Sequence, residues 1–106
     1  MGRALELAYT NDLLDANSAL ALGLVNRVFT ADQLLPATLD LARKLAQAPT
    51  RGLGLTKRGM NYALSISLDE ALDYEAYLQE IAGRTTDHHE GVQAFLEKRQ
   101  PKFIGK

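Results

Sequence analysis

Two histidines and two carboxylates stand in a row as Asp87-His88-His89-Glu90, and imidazole with carboxylate is a donor set that binds divalent cations. Their spacing argues against a metal. Neighbouring residues on a helix point about 100° apart, whereas chelation from one helix wants ligands three or four positions apart. No second cluster in the chain supplies further ligands, so the row reads as a solvated helix start. Asp87 is then the N-cap and Glu90, three residues on, closes a capping box. Glu75 borders an apolar stripe formed by Ala71, Leu72 and Leu78, where a carboxylate could have a raised pKa and move protons. The plainer expectation for it is an ion pair with an Arg or Lys of a neighbouring helix. Tyr9, Tyr62, Tyr74 and Tyr77 read as packing residues with their hydroxyls at the rim. The serines have no histidine and acid at suitable spacing, which leaves a hydrolase triad unsupported. With no cysteine in the chain, thiolate nucleophiles, thiolate metal sites and disulfides drop out together. No catalytic residue and no metal ligand is assigned.

The elements that would position these groups are helices, one after another. Residues 3–9 read as the end of a helix, with Thr10-Asn11-Asp12 as a turn. Asp15 can cap a short helix ending at Gly23, a good residue just past a helix end. Val25, Val28 and Phe29 follow in a short extended stretch, at most one such segment in the chain. Thr30 or Asp32 can cap the next helix, with Pro36 tolerated in its first turn and Pro49 ending it. Its apolar stripe is Leu35, Leu39, Ala42, Leu45 and Ala46. Thr50 opens a fourth helix with a stripe of Leu53, Thr56, Met60, Ala63 and Leu64. Gly52, Gly54 and Gly59 each weaken it by about 1 kcal/mol against alanine, but let another helix approach closely. Ser67 and Glu70 form a capping box for a fifth helix, whose Ala71, Tyr74, Leu78 and Ile81 recur as in a helix packed on a helix. A last amphipathic helix carries Val92, Phe95, Leu96 and Arg99 on one side and stops before Pro101. The fold class is therefore all-α, with about five to six helices.

Size and charge agree. A chain of 106 residues fits one domain, read as residues 1–106 without an internal boundary. Twelve basic and thirteen acidic residues leave a formal net charge of -1, so no global field recruits nucleic acid or an anionic membrane. Apolar runs fall short of a membrane span, and the first residues do not show the charged-then-apolar layout of a signal peptide, so the cytoplasm is the expected location. Met1-Gly2 against Arg3-Ala4-Leu5 reads as a start grafted onto an internal segment.

Three motifs carry a family resemblance. Glu90-Gly91-Val92-Gln93-Ala94-Phe95-Leu96-Glu97-Lys98-Arg99-Gln100-Pro101-Lys102-Phe103 resembles the C-terminal signature of the enoyl-CoA hydratase/isomerase (crotonase) superfamily. Ala19 to Val28, with Gly23-Leu24-Val25-Asn26, resembles that family's Gly-Leu-Val-Asn segment, and Leu55-Thr56-Lys57-Arg58 its Leu-Thr-Lys helix. The motifs stand in the family's order over nearly the whole chain. Ala82-Gly83-Arg84-Thr85 and the Gly105-Lys106 ending look most like the phenylacetate-pathway enoyl-CoA isomerase branch.

The resemblance implies the C-terminal helical region of a longer crotonase-like enzyme, whose spiral core, oxyanion-hole amides and catalytic acids lie elsewhere. Such a region builds trimer contacts and covers the acyl-CoA pocket. It implies hydration or isomerisation of an enoyl-CoA, with the CoA thioester as substrate, no further cofactor, and a chain inactive by itself. It points to Lys98 as a contact to the CoA nucleotide, suited to phosphate because a flexible ammonium gives charge-assisted hydrogen bonds without fixed geometry. Nineteen positions earlier, where some relatives place an aromatic over the nucleotide, this chain has Gln79, which leaves hydrogen bonding but not stacking. Arg99 is expected to pair with a carboxylate. The parent is expected to be a homo-oligomer, a trimer or dimer of trimers, and this chain a dimer or larger. The alternative is a free-standing helical interaction module without catalysis.

Overall fold

Local signals decide where most helices begin and end. The computed structural model describes residues 2–106, and these form six helices. They are α1 (Gly2–Thr10), α2 (Ala16–Ala21), α3 (Ala31–Ala46), α4 (Thr50–Ala63), α5 (Leu68–Gly83) and α6 (Thr86–Leu96). The all-α expectation holds. No strand forms among the described residues, so the Val25–Phe29 stretch stays irregular. None of the described helices is long and apolar enough to cross a membrane.

The chain gathers into two compact units, Met1–Leu39 and Asp40–Lys106. In the first, α1 gives way to Asn11, which takes a left-handed φ of 54° while its N–H still donates to the Leu7 carbonyl at 3.1 Å. Asp15 caps α2 by accepting the Ser18 N–H at 2.7 Å. Gly23, at φ 76°, ends it: its N–H donates to Leu20 and that of Leu24 to Ala19, the paired bonds of a Schellman motif. The Thr30 carbonyl accepts from Gln33 and Leu34 at the start of α3. Pro36 corrects the sequence reading, because it lies at the sixth residue of α3 rather than in its first turn. A proline there has no N–H for the carbonyl four residues back, and the helix continues to Ala46 without it.

The second unit packs α4 on α5 and α5 on α6. The capping box on α5 is complete: Ser67 N–H donates to Glu70 Oε2 at 2.9 Å, and Glu70 N–H to Ser67 Oγ at 3.3 Å. Leu55 of α4 and Leu78 of α5 are buried between the helices. A Cβ on Gly59 would sit 3.1 Å from Leu78 Cδ1, so this glycine permits the close approach. The stripe expected on α4 is thereby corrected. Its least exposed positions are Gly52, Leu55 and Gly59, spaced three and four apart, whereas Met60 and Leu64 are 69% and 87% exposed. The helix buries its glycine side because that side lets the backbones come nearest. Tyr62 and Tyr74 extend the contact, with ring centroids 4.5 Å apart.

Both ends of α6 also differ from expectation. Thr85, two residues before Asp87, is the N-cap, and its hydroxyl accepts the His88 N–H at 3.1 Å. At the other end α6 stops at Leu96 with Glu97 as C-cap, well short of Pro101. Residues 97–106 then fold back along the helix, where Phe103 comes within contact distance of Gly91.

Candidate functional site

The turn that ends α6 is built around Lys98. Its N–H donates to the Phe95 carbonyl and that of Arg99 to Ala94, again a Schellman motif, and Lys98 occupies the left-handed position at φ 54°. That position is usually glycine, because a Cβ there costs about 1–2 kcal/mol. Lys98 is exposed and enters none of the chain's described ion pairs.

Its two neighbours, by contrast, are pinned. The Arg99 guanidinium is bidentate on Glu90, with Nη1–Oε1 at 2.6 Å and Nη2–Oε2 at 2.9 Å, while its Nε donates to Glu97 Oε2 at 2.6 Å. Glu90 Oε1 also accepts the Lys102 N–H at 2.7 Å. The Arg99 hydrogen bond first, then that of Lys102, lowers Glu90 to about 2. Arg99 is raised further above its ordinary range by Glu90 first and then Glu97. The expected pairing of Arg99 with a carboxylate is thus present, and Glu90 serves it rather than a capping box. A second carboxylate holds the tail. Asp87, 2% exposed, accepts the N–H groups of Ile104 at 2.7 Å and Gly105 at 2.8 Å, while its own N–H donates to the Lys106 carbonyl. These partners explain why Asp87 is no N-cap: its oxygens are spent on residues 17 and 18 positions ahead.

The remaining candidates sit apart from this turn. Gln79 is exposed on α5 and lines a groove of about 580 Å³ between α4 and α5, together with Glu75, Leu78 and His88. Lys98 lines neither this groove nor the apolar cleft of about 430 Å³ formed by Pro49, Ala82, Val92, Phe95 and Phe103. Lys98 and Gln79 therefore share neither of these two clefts. Glu75 makes none of the described ion pairs, against the expectation for it. His89 donates from Nδ1 to the Thr85 carbonyl at 2.8 Å, and its ring stands 89° from that of His88. No metal-ligating group of three forms among the described residues.

The family model described as Enoyl-CoA hydratase/isomerase matches residues 1–106. This chain belongs to the enoyl-CoA hydratase/isomerase family. Its similarity to 1,2-epoxyphenylacetyl-CoA isomerase of Escherichia coli K12 is 44% identity over 104 residues, 98% of this chain and 40% of that protein. Crotonyl-CoA hydratase of Syntrophomonas wolfei is 35% identical over 105 residues, 99% of this chain and 40% of its own length. An enoyl-CoA hydratase from Geobacillus kaustophilus HTA426 superposes with a TM-score of 0.94 at 38% identity, covering 99% of this chain and 40% of that one. The chain thus spans about 40% of the length of the curated enoyl-CoA hydratase/isomerase relatives it matches.

Sequence reasoning singled out Lys98 but missed the clamp around it. The signal was the Glu-Lys-Arg step itself, in which the lysine is flanked by the two residues whose side chains join. Glu90 and Arg99, nine positions apart, match no helical spacing, so periodicity could not pair them.

Proposed function

We propose that this chain is the C-terminal helical part of a CoA-thioester enzyme that hydrates or isomerises an enoyl-CoA, holding the CoA nucleotide with Lys98 and contributing subunit contacts. The reading carries the family's chemistry, in which backbone amides stabilise a thioester enolate, to a protein of which this chain supplies binding and assembly. The phenylacetate-pathway isomerase branch is the finer assignment, supported by the identity to the Escherichia coli isomerase. Gln79 is the second proposed nucleotide contact, reached from the α4–α5 groove.

One observation carries the role of Lys98: a lysine stands at φ 54° in the place glycine would fill most cheaply, with its ammonium outside the described ion pairs. Strain kept at a polar, exposed position points to use of the side chain. The test replaces the matching segment of the Escherichia coli isomerase with this chain and follows turnover of its acyl-CoA substrate. Active chimera is expected, with Lys98→Ala raising KM about five- to tenfold at unchanged kcat, the signature of a remote charge-assisted contact. An inactive chimera, or a KM indifferent to Lys98→Ala, would refute the proposal.

A further inference from the structure

We propose that Glu90 is a positioning residue for Lys98, acting through Arg99, so that a carboxylate on the body of α6 strengthens rather than opposes binding of a nucleotide phosphate. The inference rests on the reading of Lys98 as the CoA contact. A left-handed residue other than glycine persists only where its surroundings over-determine it. Two backbone bonds define the turn; besides the Gln93 amide, which donates to Glu97 Oε1 at 2.9 Å, its side-chain restraint runs through one guanidinium. Arg99 Nε ties the residue after Lys98 to Glu97, the residue before it, and the Arg99 fork ties both to Glu90 on the body of α6. Glu90 also fixes the peptide N–H of Lys102, so the chain leaving the turn is held by the same carboxylate. Without Glu90, the carboxylate left to Arg99 would be the exposed Glu97 two positions away, beside a 3.3 Å bond to the Gln100 carbonyl. The clamp also engages the Arg99 charge with two carboxylates, leaving the neighbouring Lys98 ammonium for a ligand.

Electrostatics alone makes the opposite prediction. Removing a negative charge close to a phosphate site should tighten phosphate binding, so Glu90→Gln separates the two mechanisms by sign. In the active chimera described above, Glu90→Gln is expected to raise KM for acyl-CoA about threefold or more at unchanged kcat. Arg99→Lys, which keeps the charge but loses the planar fork, should do the same and guards against a fold lost in one variant. In a Lys98→Ala background neither should weaken binding further, because the residue they position is gone. In the 106-residue chain, the Lys98 carbon chemical shifts should lose their left-handed character with Glu90→Gln. Lower or unchanged KM in both variants, while Lys98→Ala still raises it, would overturn the positioning role alone. Equal weakening with and without Lys98 would overturn it too, by showing a general structural effect. If Lys98→Ala itself changes nothing, the functional reading beneath falls with it.

Discussion

Lys98 stores conformational strain that an uncharged, Cβ-less residue would release. Lys98→Gly should therefore stabilise this chain by about 0.5–1 kcal/mol, the left-handed penalty less the entropy a glycine loses on folding. Urea unfolding checks this, and Lys98→Ala should show no such gain. Glu90 gives a second residue-scale expectation. Its pKa falls from 4.5 unfolded to about 2 folded, so the clamp's contribution is fully present above the unfolded value and fades as pH drops from there through about 2. Urea midpoints of the native chain and of Glu90→Gln should differ most near neutrality and converge at the acid end. Arg99's need for a carboxylate was legible from its place on an apolar helix side, but the partner's identity was not. Asp87 misled for a related reason: aspartate favours an N-cap by local chemistry, and here bonds to Ile104 and Gly105 take its oxygens instead.

Among the helices, starts written by short-range chemistry were readable. Ser67 with Glu70, Asp15 at α2 and Gly23 after it each involve partners within a few residues, and each stands as expected. The facing side of α4 was not, since hydrophobic periodicity favours large side chains and the contact is made through Leu55 and Gly59. That geometry separates two glycines of one helix. A Cβ at Gly54 would meet nothing within 4 Å, so Gly54→Ala should stabilise by about 0.5–1 kcal/mol from helix propensity alone. Gly59→Ala gains the same propensity but pushes a methyl against buried Leu78, and its thermal midpoint should fall below that of Gly54→Ala. Lys98 ends α6 in a way no pattern announces, because the sequence shows lysine where the turn's usual marker is glycine.

For the molecule as a whole, the apolar face of α6 was visible as a stripe, yet Phe95 and Leu96 are 82% and 74% exposed. Among the described residues the buried apolar side chains are only Leu55, Leu78 and Ala94. Faces of this kind associate, so sedimentation at about 50 µM should give a dimer or larger species, and Phe95→Glu should shift it toward monomer. A sharp monomer boundary for the native chain would contradict this. The fold-level family assignment was open to sequence because its motifs are contiguous, whereas what covers these faces is information held in other surfaces. The tail bound by Asp87 behaves differently from either. Residues 101–106 lack regular secondary structure, yet the Ile104 and Gly105 amides end on a carboxylate that is 2% exposed. Each of those two amides can trade its hydrogen with solvent only when its bond to this shielded carboxylate opens, so exchange in this stretch should be slower than that of a loose end, and Asp87→Ala should speed it at both positions.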